Sequence, residues 1–169
     1  MITTRDELRA AQAPLKQQYR DTPESAMAAV HASGTFSEPG ITATVETWSE
    51  PVRAGLHPST GGDGADACSG DMLMEALVGC AGVTLRSVAT AMSIPVRSAE
   101  IRAEGVFDAR GTLGVDREAE VGVQNVRIVA IIDADATDEQ LERLATSTER
   151  YCVVGQSLKT PPAVEVKRL

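Results

Sequence analysis

The sequence predicts a mixed α+β fold built around one long apolar helix. Helical and strand patterns occur in separate runs and do not alternate strictly, which is typical of α+β proteins. The helix expected over residues 69–93 is apolar on most of its sides, so it needs cover on every side. One small sheet cannot provide that cover, and we therefore expect a second copy of the chain to complete the core.

Composition narrows the class of protein. The chain has 169 residues, which suits a single domain, and a formal net charge of −8. An acidic surface repels phosphate groups, so we expect neither nucleic acid nor anionic membrane as a partner. The first residues are polar and lack the pattern of a signal peptide. Three cysteines disfavour a static disulfide framework, and we expect a cytoplasmic protein with reduced thiols.

The apolar helix also needs to be tested as a membrane span. Residues 72–90 are long enough to be considered. Glu75 and Arg86 interrupt the apolar run, and several Gly, Ser and Thr residues dilute it. We interpret this segment as a buried helix of a soluble protein.

Residues 1–37 are expected to form an N-terminal helical extension, with the main domain over residues 38–169. Apolar residues at helical spacing support the first part, and Thr3 or Thr4 can cap its start. Pro14 and Pro23 are expected to divide this region into one broken helix or two short ones.

The main domain begins with strand patterns over residues 41–46 and 52–56, followed by a loop to residue 68. After the apolar helix we expect a strand over 99–107, a turn over 111–116 and a long strand over 118–133. The apolar phase changes near Gln124, which suggests a bulge there. Thr137 and Gln140 predict a capping box, with a helix to about Arg150, a second helical piece from Cys152 and a strand over 163–167.

Two cysteines carry the chemical argument. Cys80 lies inside the apolar helix, and Cys152 lies at the start of a late helix. A thiolate can attack a peroxide O–O bond and become a sulfenic acid, which a second thiol converts to a disulfide. An external dithiol can then reduce the pair, without a metal, flavin or nicotinamide. An apolar environment favours alkyl hydroperoxides over hydrogen peroxide.

The segments around these cysteines resemble the OsmC/Ohr family, as a divergent member. The resemblance rests on three stretches in the right order, namely Gly61–Gly64, Ser69–Leu85 and Tyr151–Leu158. It covers roughly residues 41–169. The resemblance implies an intertwined homodimer whose long buried central helices are wrapped by antiparallel sheets, with active sites at the subunit interface. It also implies an antioxidant role as an organic hydroperoxide peroxidase, with Cys80 as the peroxidatic thiol and Cys152 as the resolving thiol.

The activation of Cys80 is the difficult step. Burial in an apolar helix should raise the pKa of a thiol, so a nearby cation is expected. The family places a Glu ten positions before this cysteine to hold an Arg, and here that position is Gly70. Asp71 and Glu75 are the candidate replacements.

The candidate cations are Arg53 in the preceding strand region and His57 in the loop. Cys68 adds a third thiol twelve residues before Cys80, about 18 Å away along a helix axis. That is too far for a direct bridge within one chain.

Two other functions stay open. A non-catalytic OsmC-fold protein could bind an apolar ligand at the dimer interface, as the missing acid at Gly70 suggests. A weaker alternative is a thiol-based sensor or partner-binding protein. We expect no metal site, because His31, His57 and Cys68 lack the compact spacing of metal ligands. The Gly61–Gly64 loop lacks the features of a phosphate-binding loop.

Overall fold

The computed structural model describes residues 1–169 and confirms the α+β class. Its helices are α1 (Arg5–Asp21), α2 (Ser69–Ala91), α3 (Ala109–Thr112), α4 (Asp138–Tyr151) and α5 (Val153–Gln156). Its strands are β1 (Ser33–Thr35), β2 (Thr42–Glu46), β3 (Val52–Gly55), β4 (Ala67–Cys68), β5 (Val96–Val106), β6 (Gln124–Ala134) and β7 (Ala163–Arg168). Short 3-10 turns occupy Pro23–Ala26 and Pro58–Thr60.

The chain forms two compact units. The first comprises residues 1–29, 77–103 and 127–169, and the second comprises residues 30–76 and 104–126. The hydrophobic core of the first unit is formed by the second half of α2, by β6 and by α4. Its buried members include Leu85 and Ala89 of α2, Ala130 and Ile132 of β6, and Leu144 of α4.

The strands form two sheets, with three strands in the order β5-β6-β7 and four in the order β1-β2-β3-β4. The pairs β1–β2 and β2–β3 are antiparallel, as expected. Both sheets also contain a parallel pair, β3–β4 and β6–β7, so the expectation of purely antiparallel sheets needs correction. A parallel pair requires a long connection, and α4 with α5 provides it between β6 and β7.

The apolar helix α2 buries a single stripe within this chain. Leu77, Ala81, Leu85 and Ala89 recur every four residues and are at most 2% exposed. Val83, on another face, is 74% exposed. We expected a helix that is buried on all sides, and this single chain buries only one face of it.

Two features mark the end and the composition of α2. After Ala91 the backbone turns at Ser93, which has a φ of 57°, and Pro95 prevents continuation. By length and apolar composition alone the helix could also span a membrane. Core helices of soluble proteins meet the same criterion.

Several expected boundaries shift. The helix α1 runs through Pro14 without a break and ends at Asp21, before Pro23. Its two well-formed ends, with a capping box at Thr4 and Glu7, lie outside the turn that Pro14 disturbs. The expected turn over 111–116 begins as the short helix α3. The long strand starts only at Gln124, and its second residue, Asn125, adopts a φ of 53° close to the point where the apolar phase changes. The short strands β1 and β4 lack a sequence pattern that predicts them.

The predicted capping box of α4 is confirmed. The Gln140 N–H donates to the Thr137 hydroxyl oxygen at 3.2 Å, and the Thr137 N–H donates to the Gln140 side-chain carbonyl at 2.8 Å. These bonds satisfy two backbone donors at the start of α4. They fix the start of the helix whose far end carries Cys152.

The capping box gives a first prediction about stability. Replacing Thr137 with Ala removes the acceptor for the Gln140 N–H, and we expect the free energy of unfolding to fall by about 1 kcal/mol. Thr137→Ser keeps a hydroxyl and is the matched control. Urea unfolding followed by circular dichroism measures both, and equal stability of the two variants would contradict the role of the cap.

Candidate functional site

The structure brings Cys80 and Cys152 together, although 71 residues separate them in the sequence. Cys80 is half-buried on α2, and Cys152 is only 1% exposed. Both are free thiols, and each acts on the other as a side-chain hydrogen-bond partner. The site is therefore a pair of reduced thiols in direct contact.

Cys152 is held where one helix ends and the next begins. Its backbone N–H donates to the carbonyl oxygen of Thr148 at 3.0 Å, which closes the last turn of α4. Its sulfur accepts a hydrogen bond from the Gly155 N–H at 3.4 Å, so the thiol caps α5. Two backbone anchors thus fix the Cβ–Sγ bond of this residue.

Hydrogen-bond donors surround the sulfur of Cys80. The Val154 N–H lies 3.5 Å from it, and further donors come from the Cys152 thiol, the Val153 backbone and the Thr84 hydroxyl. Burial by itself raises the pKa of Cys80, but these donors stabilise the thiolate and together lower that pKa below its ordinary value. None of these donors carries a positive charge.

The pKa of Cys152 shifts in the opposite direction to that of Cys80. Burial raises the pKa of this thiol. The neighbouring Cys80 raises it further, because the Cys152 thiol donates a hydrogen bond to the Cys80 sulfur and because negative charge on Cys80 disfavours a second thiolate. The hydrogen bond from Gly155 opposes this only in part. Of the two thiols, Cys80 is therefore the one that loses its proton more readily.

The candidate cation Arg53 is already engaged by acids. Its guanidinium donates to the carboxylate of Asp66, and it lies 3.5 Å from that of Glu38. The hydrogen bond and the negative charge of Asp66 raise the pKa of Arg53. Arg53 is therefore a paired charge in the second unit.

The candidate acids of α2 are solvated. Asp71 and Glu75 are exposed, and their side chains form no hydrogen bond or ion pair in the chain. At Gly70, an added Cβ would lie 3.5 Å from the sulfur of Cys68, an ordinary contact distance. Position 70, where the resemblance led us to expect a Glu, thus lies beside a thiol in this chain.

His57 and Cys68 line the same cavity in the second unit. Its volume is about 430 Å³, and most of its larger side chains are apolar. The Nδ1 atom of His57 accepts a hydrogen bond from the Ser59 N–H at 3.0 Å. Its ring contacts Phe107 edge to face, with the centroids 5.1 Å apart.

Sequence reasoning missed the neutral donors of the thiol pair. Thr84 had a signal, because residues four apart on a helix share a face and Thr84 follows Cys80 by four. The amides of Val153, Val154 and Gly155 had only the late helix start as a signal. No group of three or more His, Cys, Asp and Glu side chains in the chain is arranged to hold a metal ion.

A known protein family matches the part of the chain that contains both thiols. The family described as OsmC-like protein matches residues 62–167, which is more than half of the chain. The chain belongs to the OsmC-like protein family. The resemblance seen in the sequence is thereby confirmed, with both Cys80 and Cys152 inside the matched region. Helix α1 lies outside it, and the expected boundary between residues 37 and 38 stays a prediction.

Solved structures of this family have the same fold. An organic hydroperoxide resistance protein from Elizabethkingia anophelis is similar with a TM-score of 0.68 and 13% identity, covering 85% of this chain and 99% of that one. An OsmC-like protein of unknown function from Vibrio cholerae has a TM-score of 0.66 and 18% identity, covering 85% and 100%.

A third solved structure also has a similar fold. An organic hydroperoxide resistance protein OsmC from Legionella pneumophila has a TM-score of 0.61 and 15% identity, covering 85% and 98%. No curated protein sequence matches the chain significantly. At these identities the solved structures establish the fold of the OsmC-like chain.

The hydrogen bond between the two thiols gives a second prediction. In Cys152→Ala the S–H donor is lost, so the pKa of Cys80 should rise and its alkylation by iodoacetamide at neutral pH should slow roughly 2- to 10-fold. The rate should also reach its plateau at a higher pH than in the wild type. Cys152→Ser retains a hydroxyl donor and should show a smaller loss.

Peptide mapping after cleavage at glutamate makes this measurement specific. Glu75 lies between Cys68 and Cys80, and Glu100 and Glu149 lie between Cys80 and Cys152, so each cysteine falls in its own peptide. Equal or faster alkylation of Cys80 in Cys152→Ala would contradict the proposed stabilisation of the thiolate.

Proposed function

We propose that this OsmC-like protein is a thiol-dependent peroxidase that reduces organic hydroperoxides through Cys80 and Cys152. The observation that carries the proposal is the direct contact of the two thiols, with the pKa of Cys80 lowered and that of Cys152 raised. A nucleophile must be a thiolate at working pH, whereas its partner can stay protonated until it is needed. The names of the Elizabethkingia and Legionella proteins support the same chemistry.

The reaction begins at the Cys80 sulfur. The thiolate attacks the terminal oxygen of the hydroperoxide, the O–O bond breaks, and the alkoxide takes a proton and leaves as the alcohol. Cys80 is then a sulfenic acid. The neutral donors around the sulfur, from Val154, Cys152 and Thr84, hold the thiolate in place before the attack.

Resolution follows at Cys152. Its sulfur attacks the sulfenic sulfur, a disulfide forms, and the sulfenic oxygen leaves as water together with the thiol proton. The Gly155 N–H, 3.4 Å from the Cys152 sulfur, stabilises negative charge as that proton departs. An external dithiol reduces the disulfide by exchange, and no other cofactor enters the cycle.

The supporting candidates fall outside this scheme within one chain. Arg53 is balanced by Asp66 and Glu38, and the acids of α2 are solvated. We therefore assign the activation of Cys80 to the neutral donors. A thiolate that needs no cation fits a protein with Gly70 where the family has its Glu.

We further propose that two copies of the chain form a homodimer that functions in the cytoplasm. Large apolar side chains support this assembly, since Val83 is 74%, Phe36 86% and Trp48 98% exposed in the single chain. A soluble chain rarely leaves so many apolar groups in water, and a second copy would cover them. An odd number of cysteines, three, disfavours a static disulfide framework and fits the cytoplasm.

A non-catalytic role in binding an apolar ligand is the alternative function. The observation that favours it is that no cation is among the groups that stabilise the Cys80 thiolate. The two functions differ in one result, because a binding protein leaves both the peroxide and its own thiols unchanged. The third idea, a thiol sensor, would show oxidised thiols with no turnover.

The third prediction tests the peroxidase directly. With a dithiol donor in excess, the wild type should consume cumene hydroperoxide catalytically. Cys80→Ser should lose this activity, because the thiol that attacks the peroxide is removed. Cys152→Ser should accumulate a sulfenic acid at Cys80, detected as a dimedone adduct by mass spectrometry. Absence of turnover in the wild type, with free thiols unchanged after peroxide, would contradict the proposal.

The fourth prediction tests the homodimer. Val83→Asp places a charge on the exposed apolar face of α2, and burial of an unpaired carboxylate should oppose association. We expect light scattering during size-exclusion chromatography to show a shift from dimer toward monomer. Val83→Ile keeps the face apolar and should remain dimeric. A monomeric wild type would contradict the assembly.

A further inference from the structure

The second unit contains a thiol that the proposed peroxidase cycle does not use. Cys68 is half-buried and lines a cavity of about 430 Å³, within the volume range of small-molecule sites. Neither Cys80 nor Cys152 is among the residues that line this cavity. Its apolar walls include Leu56, Leu73, Phe107 and Val121. A molecule with an apolar body therefore fits these walls.

His57 adds one polar group with a defined role. Because the Ser59 N–H donates to Nδ1 at 3.0 Å, neutral His57 carries its proton on Nε2. Nε2 forms no hydrogen bond within the chain, and the contact with Phe107 fixes the plane of the ring. His57 is thus an orientated N–H donor whose Nε2 has no acceptor among the groups of this chain.

The sulfur of Cys68 is left open on one side. A Cβ at Gly70 would lie 3.5 Å from it, so the glycine leaves free the space next to the sulfur. Larger side chains at position 70 would cover the thiol. The cavity therefore combines an accessible nucleophile, one N–H donor and apolar walls.

We propose that this cavity is a second ligand site, in which Cys68 captures small apolar α,β-unsaturated carbonyl compounds. The apolar body packs on the walls, and the carbonyl oxygen accepts the hydrogen bond of His57. The sulfur forms a bond to the β-carbon while the carbon–carbon π bond breaks. The thiol proton reaches the α-carbon through water, so the S–H adds across the double bond without an oxidant or a leaving group.

The class of electrophile follows from the groups present. Negative charge develops on the carbonyl oxygen as the sulfur adds, and a fixed N–H donor stabilises charge there. A peroxide offers no such oxygen beside an electrophilic carbon. A purely apolar ligand would leave the donor of His57 without an acceptor.

The test compares cinnamaldehyde, which has an apolar ring, with acrolein, which has the same reactive group and no apolar body. Adducts on the full chain are located by mass spectrometry after cleavage at glutamate, which separates Cys68 from Cys80 and Cys152. The ratio of the two rates at Cys68 is divided by the same ratio for glutathione. We expect this normalised preference for cinnamaldehyde to be at least about tenfold, with saturation at high concentration.

Variants inside and outside the cavity test whether the preference for cinnamaldehyde arises from the cavity walls. Val121→Asp, in the cavity wall, should reduce the cinnamaldehyde rate and spare the acrolein rate. Val115, 75% exposed against 60% for Val121, lies outside the cavity, and Val115→Asp is the control. Gly70→Leu should slow both aldehydes by covering the sulfur, with circular dichroism as the check on folding. His57→Phe should slow both by removing the donor.

A normalised ratio near one with a linear concentration dependence in the wild type would overturn the proposal. So would equal cinnamaldehyde rates in Val121→Asp and Val115→Asp. Cys68→Ser should leave cumene hydroperoxide turnover unchanged. The peroxidase proposal for Cys80 and Cys152 and the ligand site at Cys68 can therefore be contradicted independently of each other.

Discussion

The packing of one stripe of α2 against β6 and α4 is the constraint on which the thiol pair depends. Leu85 and Ala89 of α2 share a core with Ile132 of β6 and Leu144 of α4. This packing fixes the rotation of α2 about its axis, and Cys80 precedes Ala81 of the same buried stripe. It also fixes α4, at whose end Cys152 lies. Close packing therefore sets the position of each sulfur relative to the other.

The electrostatics of the pair follow from this contact. Desolvation works against a thiolate in such a place, and position 70, where the resemblance led us to expect an acid, is a glycine in this chain. The amide of Val154 and the thiol of Cys152 supply partial positive charge instead. Burial raises the pKa of Cys152, and the hydrogen bond between the two thiols adds to that rise. The same hydrogen bond joins the Val154 amide in lowering the pKa of Cys80. The polar environment of this pair contrasts with the apolar cavity around Cys68.

Local patterns predicted most of the elements. The capping residues of α4, the alternation in β2 and the apolar run of α2 each encode their structure within a few residues. The predicted elements were wrong where contacts with distant parts of the chain determine the local structure. Pro14 is tolerated within α1, and the strands β1 and β4 form only because a neighbouring strand offers hydrogen bonds. The parallel pairing of β6 with β7 is a property of the long connection, which no local pattern shows.

The sequence by itself determined the family, the α+β class and the two thiols of the candidate site. Each of these depends on residue identity and short-range spacing, which a single chain displays directly. Only the tertiary structure decided what surrounds those thiols. The donors to Cys80 come from amides at the start of α5, and backbone amides carry no residue signature. The same holds for the placement of Cys68 with His57 in one cavity, since residues far apart along the chain become neighbours only through packing.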